Sequence, residues 1–293
     1  MNNKKKELLV ATMFFLPAVV IYSIFFLYPV LSGILYSFTN WQGLSKTIRF
    51  VGFDNFVELF NDRLFLASIK NTFVFAILNS VFQNVFALIL ALFLDVKLLG
   101  RNMYRAIIYM PSVISSIVVG FVWSYILNPT IGVNQIFGAI GLDGFSPQWL
   151  GDVDLALPTL VFVTVCQSVG STMVLYLAGL QDIPVDLYES ASIDGVNWWQ
   201  KIRYITIPLL APSITISMIL TTIYSLKAFE IIFVMTQGGP GNATETMATV
   251  MYQYAFRTGR FAYGTAIGVI LFVIVLIITV FQLKILQKRE VQY

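Results

Sequence analysis

The side chains that could bind a solute are polar residues inside otherwise apolar stretches of the sequence. They recur every three to four residues, which places each set on one face of a helix. The sets are Thr164, Gln167, Ser168 and Ser171; Ser217, Thr221 and Ser225; and Asn79, Gln83 and Asn84. Such faces either line a path for a solute that has lost its water or hydrogen-bond to neighbouring helices. The sequence leaves both interpretations open. Tyr224 is an aromatic candidate for contact with a solute on the same path.

Residue types that most enzymes require are missing. The chain has no histidine and one cysteine, Cys166, which excludes His/Cys metal sites, Ser-His-Asp triads, Cys-His dyads and an internal disulfide. No Gly-Lys pair occurs, so the phosphate-binding loop of an ATPase is absent. The net charge of +3 is too small and dispersed for nucleic-acid binding. We therefore expect no enzyme activity, no metal and no cofactor in this chain.

Membrane-spanning helices must position these polar residues. Of the 293 residues, 58% are hydrophobic and 11% are charged, against about 45–50% and about 25% in a soluble domain. A span requires about 20 apolar residues, and six uncharged stretches supply them: 8–45, 71–94, 106–142, 155–181, 204–226 and 261–283. Their apolar cores predict helices near 9–36, 72–94, 106–127, 156–180, 208–232 and 263–286. The predicted fold class is all-α, a polytopic membrane protein with six transmembrane helices in one domain, 1–293.

The basic residues predict the orientation of these helices. Eleven of the 18 Lys and Arg residues fall in segments on one side, six fall on the other, and Lys227 lies inside a span. Because basic residues accumulate in cytoplasmic loops, we expect both termini in the cytoplasm. The loop 128–154 has no basic residue and three aspartates, as expected outside. The first apolar run is too long for a signal peptide and is interpreted as a retained helix.

The segment between the fourth and fifth predicted spans has strong local signals. Pro184 suits a first helical turn, and Gly195 suits a left-handed helix end. Asn197 is an N-cap residue type for a second short helix, which we expect to run until Pro208. The sequence therefore predicts two short helices that meet at a sharp corner, a shape that another protein could bind.

Here the residues resemble a known family. Glu189-Ser190-Ala191, then Gly195 six residues after the glutamate, then Ile205-Thr206-Ile207-Pro208, is similar to the EAA loop of the inner-membrane permease subunits of binding-protein-dependent ABC importers. Ser190 replaces an alanine and Ile207 replaces a leucine of that pattern. The sugar-transport branch, of maltose, glycerol-phosphate and multiple-sugar type, is resembled over nearly the whole chain, notably at 15–17, 28–29, 51–56, 227–230 and 236–240.

The resemblance implies the type I permease fold of ABC importers and a division of labour. Two permease subunits, expected to be a heterodimer, form the pathway, two cytoplasmic ATPases drive it, and an extracytoplasmic sugar-binding protein delivers the substrate. The chain is then expected in a prokaryotic inner membrane, where it moves a mono- or oligosaccharide inward by alternating access. The loop 182–208 couples to the ATPase through Glu189, Ala191, Asp194, Gly195 and Pro208. The substrate pathway is assigned to Gln167, Ser171, Thr221, Ser225, Asn79 and Gln83, and docking of the binding protein to Gly238, Gly239 and Pro240.

Two alternatives remain at this stage. An ABC permease for a phosphorylated polyol would keep the same loop but line its cavity with basic groups, and only Lys227 is in range. A stand-alone carrier usually places several carboxylates or histidines in the membrane, and only Glu230 qualifies. Lys227 and Glu230 are three residues apart, and we favour a structural ion pair between them over a functional role.

Overall fold

The structure is a computed structural model that describes residues 3–43, 47–96, 99–141 and 146–288. Lys46, Lys97, Asp143 and Arg289, which contribute to the predicted orientation, lie outside the described residues. Within these ranges the backbone is helical apart from turns, loops and one antiparallel bridge between Thr39 and Phe50. The helices are α1 Asn3–Tyr22, α2 Tyr28–Tyr36, α3 Asp54–Asn61, α4 Arg63–Asp95, α5 Arg101–Val113, α6 Ser116–Ile126, α7 Val133–Ala139, α8 Val153–Gln181, α9 Val185–Ile193, α10 Trp198–Lys201, α11 Ile207–Leu209, α12 Ala211–Leu226, α13 Glu230–Met235, α14 Met247–Tyr252 and α15 Phe261–Gln287.

The helical segments confirm the all-α membrane fold. Among the described residues, five segments are long and apolar enough to cross a bilayer: Thr12–Tyr36, Arg63–Asp95, Val153–Gln181, Ala211–Met235 and Phe261–Gln287. The third predicted span, 106–127, is wrong as a single helix, because α5 and α6 are bent by 98° where they meet. Two π-helical segments, Ser23–Leu27 and Ile202–Thr206, join successive helices without a break, and a third, Gln253–Arg257, continues α14 and ends it at Thr258.

Two further expectations about helix ends are corrected. Pro208 does not end a helix, because the π segment Ile202–Thr206 precedes it and α11 includes it. The predicted helix 208–232 is interrupted after Leu226, since Lys227 leaves helical geometry and α13 begins at Glu230. Lys227 and Glu230 therefore lie on either side of a break, both exposed, and they do not form the expected i, i+3 pair of one helix.

The residues group into two compact units, and the smaller comprises Met1–Asp62 and Met251–Ile270. Within it, the backbone N–H of Ala262 donates to the carbonyl of Trp41 at 2.9 Å. The Asp62 carboxylate accepts from the Tyr254 hydroxyl at 2.5 Å, and Arg260 pairs with Glu58 at 2.6 Å. These contacts hold the segment after α2 against the start of α15.

The larger unit comprises Arg63–Val250 and Leu271–Tyr293, and its core is built on α4 and α8. One apolar cluster surrounds Phe75 and includes residues of α6, α8 and α13. The other, which we call the Tyr176 cluster, contains Ala87, Ala91, Leu94, Met173, Tyr176, Leu177, Leu180, Ile183 and Leu210. Between the two clusters, polar side chains of α4, α8 and α12 replace apolar ones.

Candidate functional site

A polar cavity of about 600 Å³ lies within the larger unit, where α4, α8 and α12 face the junction of α5 and α6. It is lined by Gln83, Ser112, Ile114, Ser115, Ser116, Gln167, Ser168, Ser171, Thr172, Leu175, Ser217, Leu220, Thr221 and Tyr224. Most of these side chains carry a hydroxyl or an amide, and none of the described lining residues is charged. The cavity can therefore offer hydrogen bonds to a solute without offering it an ionic partner.

The bend between α5 and α6 creates one wall of the cavity. Ile114 and Ser115 have extended ψ values of 139° and 135°, so the Ile114 carbonyl at the bend loses its helical partner. Gln167 of α8 satisfies part of this deficit, since its Nε2 donates to the Ile114 carbonyl at 3.0 Å and to Ser116 Oγ at 3.2 Å. Its Oε1 has no partner although the side chain is only 5% exposed. This oxygen is itself shielded from solvent, so a solute in the cavity reaches it only if the Gln167 side chain turns, and a new bond there would remove the cost of leaving a buried amide oxygen unpaired.

Close contact between α5 and α8 fixes this wall in place. Ser112 Oγ donates to the Gln167 carbonyl at 2.8 Å and accepts from the Ser171 N–H at 3.2 Å. At Gly170, an added Cβ would lie 2.2 Å from the Ile108 carbonyl oxygen and 2.7 Å from Tyr109 Cα. A glycine is therefore required for the backbones to approach this closely, as at other membrane helix pairs.

A buried hydrogen-bond network continues from the cavity into the core. Asn84 Oδ1 accepts from Ser217 Oγ at 2.5 Å and from the Tyr176 hydroxyl at 2.6 Å, while Asn84 Nδ2 donates to Thr221 Oγ1 at 2.8 Å. Asn79 Nδ2 donates to Ser225 Oγ at 2.8 Å. This network ties α4, α8 and α12 together at the level of the cavity floor.

The six residues assigned to the pathway from sequence thus separate into two groups. Gln83, Gln167, Ser171 and Thr221 line the cavity. Asn79 and Ser225 do not line it, because both are fully buried and pair with each other. Tyr224 also lines the cavity. The wall formed by Ser112, Ser115 and Ser116 was not predicted. Its signal in the sequence is three serines close to Pro111 within an apolar run.

The segment 182–208 forms the predicted corner at the end of α9. Gly195 has φ +76°, and its N–H donates to the Ser192 carbonyl at 3.2 Å while the Val196 N–H donates to the Ala191 carbonyl at 3.0 Å. This is a Schellman helix end, and Gly195 supplies the left-handed residue it needs. Asn197 caps the next helix in a capping box with Gln200. Both predicted caps are confirmed, and α9 begins one residue after Pro184.

The residues assigned to the ATPase differ in accessibility. Glu189, Asp194 and Gly195 are exposed, Pro208 is partly buried, and Ala191 is 7% exposed because it faces the protein itself. Apolar side chains that the sequence analysis did not assign stand on the open surface of this corner, namely Val185, Leu187, Ile193, Trp198 and Trp199. The segment therefore presents an apolar surface with a carboxylate at Glu189.

The turn 236–246 is held by hydrogen bonds within the larger unit. Gly238 is buried, and a Cβ there would lie 2.1 Å from Oε1 of Glu245. Thr244 N–H donates to the Gly238 carbonyl at 3.1 Å, and Asn71 Nδ2 donates to the Glu245 carbonyl at 3.0 Å. Gly239 and Pro240 are partly buried, and the peptide bond between them is cis. Of the three residues assigned to docking, Gly238 thus packs inward.

Known proteins match most of this chain. Residues 83–291 match the family described as binding-protein-dependent transport system inner membrane component. A probable starch degradation products transport system permease protein, AmyD, of Thermoanaerobacterium thermosulfurigenes is 37% identical and covers 96% of this chain and 94% of its own. The multiple sugar-binding transport system permease protein MsmF of Streptococcus mutans is 34% identical over 95% of each chain. A bacterial alginate ABC transporter, solved with an alginate pentasaccharide-bound periplasmic protein, contains a chain that is 28% identical, with a TM-score of 0.82 over 95% of this chain and 93% of that one.

Proposed function

The chain belongs to the family of inner membrane components of binding-protein-dependent transport systems, and on this premise we propose that it is the permease subunit of an ATP-driven sugar importer. In this proposal a second permease subunit supplies the other half of the pathway, which makes a heterodimer. Two cytoplasmic ATPases and an extracytoplasmic binding protein complete the complex. The names of the relatives, which refer to starch degradation products and multiple sugars, support a carbohydrate substrate.

The observation that carries the proposal is the chemistry of the cavity. A sugar that leaves water loses hydrogen bonds to each hydroxyl, and an apolar lining would not replace them. The cavity offers serine, threonine and glutamine groups together with the Tyr224 ring, and an aromatic ring with a polar tip suits a sugar face.

The cavity also favours an uncharged sugar over a phosphorylated polyol. A phosphate that leaves water requires a cationic partner, most often Arg or Lys. None of the described residues that line the cavity is basic, and Lys227 lies beyond the end of α12. This half of the pathway therefore supports a neutral mono- or oligosaccharide.

Coupling would proceed through the corner at Gly195. With both termini in the cytoplasm, as the basic residues predict, α9 and α10 face the ATPases and the turn 236–246 faces the binding protein. ATP-driven closure of the ATPases would then move α9 and α10, and with them α12 and the cavity. ATP shifts the equilibrium between inward-open and outward-open states only if it binds the two states with different affinity.

The test is uptake by the whole complex in liposomes, with ATP inside and the loaded binding protein outside. Tyr224→Ala and Ser171→Ala remove groups that line the cavity, whereas Tyr125→Ala removes an exposed tyrosine of α6 that does not. Loss of one hydrogen bond of about 1 kcal/mol corresponds to about fivefold in rate. We therefore expect each cavity variant to lower the maximal uptake rate about fivefold or more, and Tyr125→Ala to leave it unchanged.

Two results would contradict the proposal. If Tyr224→Ala and Ser171→Ala transport sugar at the rate of Tyr125→Ala, this cavity is not on the pathway. If the unsubstituted complex takes up a phosphorylated polyol in preference to neutral sugars, the substrate class is wrong.

A further inference from the structure

A tyrosine next to the coupling glutamate joins the corner segment to the helix that lines the cavity. The hydroxyl of Tyr188, in α9, lies 3.0 Å from Oγ1 of Thr206, eighteen residues later. Thr206 is only 3% exposed, so this contact is shielded from water at one end. Burial raises the pKa of the Tyr188 phenol, which therefore stays a neutral hydroxyl at physiological pH.

The ring of Tyr188 is anchored in the core. It packs against the Tyr176 cluster, which contains residues of α4 and α8 together with Leu210 at the start of α12. Ala191, three residues later, is buried on the same side of α9. The opposite side of α9 carries Ile193, which is 87% exposed. One face of α9 is thus available to a partner, while the other is held by Tyr188 and Ala191.

The acceptor end lies where the helix leading into α12 departs from regular geometry. Thr206 is the last residue of the π segment Ile202–Thr206, and its hydroxyl is also 3.3 Å from the Lys201 carbonyl. Pro208 follows and has no N–H to donate to the preceding turn. Because π segments are places where a helix can change its hydrogen bonding locally, a side chain bonded there can influence how the helix continues.

We propose that Tyr188 is a positioning residue for energy coupling, and that its hydroxyl transmits displacement of α9 to α12 through Thr206. A shift of α9 moves the Tyr188 hydroxyl. Through its bond to Thr206 this hydroxyl displaces the π segment, which changes the direction of α12. Ser217 and Thr221, which line the cavity, lie on that helix. This inference rests on the proposed function, because it assumes that an ATPase holds the exposed face of α9.

The experiment uses the complete complex in liposomes and single hydroxyl deletions. Tyr188→Phe and Thr206→Val each remove one end of the contact, and Thr206→Ser keeps the hydroxyl. Tyr125→Phe is a matched control because Tyr125, in α6, is 68% exposed and lies outside the segment 182–208. The readout is the number of sugar molecules imported per ATP hydrolysed, measured with co-purification of the ATPase.

We expect the sugar-to-ATP ratio to fall severalfold in Tyr188→Phe and in Thr206→Val, with the ATPase still bound. The double variant should be no worse than either single one, because both remove the same contact. Thr206→Ser and Tyr125→Phe should behave as the unsubstituted complex does.

The inference is overturned if Thr206→Val keeps the normal ratio, if the two losses add independently, or if Tyr125→Phe lowers the ratio equally. It is also overturned if the variants release the ATPase, since Tyr188 would then only shape the docking surface. Failure of the proposed function would be recognised differently, because the unsubstituted complex would itself import no sugar with ATP.

Discussion

Replacing Gly170 with alanine tests how closely the cavity wall is packed. The new Cβ would lie 2.2 Å from the Ile108 carbonyl oxygen and 2.7 Å from Tyr109 Cα. Both atoms belong to the backbone of α5, so no side-chain rotation can relieve the overlap. The helix must move outward, and the hydrogen bonds of Ser112 to α8 must lengthen or break.

The expected loss follows from the cost of overpacking a close contact, which is about 1–3 kcal/mol per added methyl. For a chain of this size that loss corresponds to a fall of about 2–12 °C in the unfolding midpoint. The assay is the amount of monodisperse complex that remains on size exclusion after heating in detergent. Gly33→Ala is the control, because Gly33 lies in α2 with no atom within 4 Å of an added Cβ. It should leave the midpoint unchanged or raise it slightly.

Equal midpoints for Gly170→Ala and Gly33→Ala would refute the reasoning. Such a result would mean that α5 does not approach α8 at Gly170, and the cavity wall at Ser112 would have to be placed differently. A lowered midpoint in both variants would instead indicate that another subunit contacts the helix at Gly33. The difference between the midpoints of Gly170→Ala and Gly33→Ala would then be the quantity to compare.

The remaining predictions concern two places outside the cavity. Gly238→Ala would force its Cβ onto the carboxylate of Glu245. The rate of ATP hydrolysis that the binding protein stimulates should therefore fall, while the basal rate is retained. Gly241→Asn is the control, because Gly241 is a left-handed position with open space around it. Burial and the bond to Asp62 raise the pKa of Tyr254 from 10.0 to about 12. The folded state thus favours the neutral phenol, and this contribution to stability is complete below pH 10 and is lost as pH rises towards about 12. The free energy of unfolding, measured by chemical denaturation across that pH range, should therefore fall less in Tyr254→Phe than in the unsubstituted protein.

Local signals in the sequence predicted local structure well. The left-handed end at Gly195 and the N-cap at Asn197 each depend on residues within five positions of each other, and such caps form wherever the helix does. The spans were likewise predictable, since the length of an apolar run decides whether it crosses a bilayer. Neither inference required knowledge of which helices touch.

The bend between α5 and α6 was not predictable from its own residues. Pro111, the nearest helix-breaking residue, lies inside α5, and the chain turns instead at Ile114 and Ser115. The exposed carbonyl of Ile114 is satisfied by Gln167, more than fifty residues away. A break that depends on a donor from another helix leaves no signal in the broken segment itself.

The polar stripes were interpreted either as a solute path or as helix-to-helix hydrogen bonding. Both interpretations apply, but to different residues of the same stripe. Asn84 directs its amide groups to α8 and α12 and acts as scaffold, as does Ser225 through Asn79. Gln167 does both, because its Nε2 supports the bend while the residue also lines the cavity. A spacing of three to four residues fixes the face of a helix, but only the neighbouring helices determine which atoms on that face are already bonded. Polar side chains that line the cavity are therefore the ones that substitutions should test for transport, and those that bond only to neighbouring helices should be tested for folding.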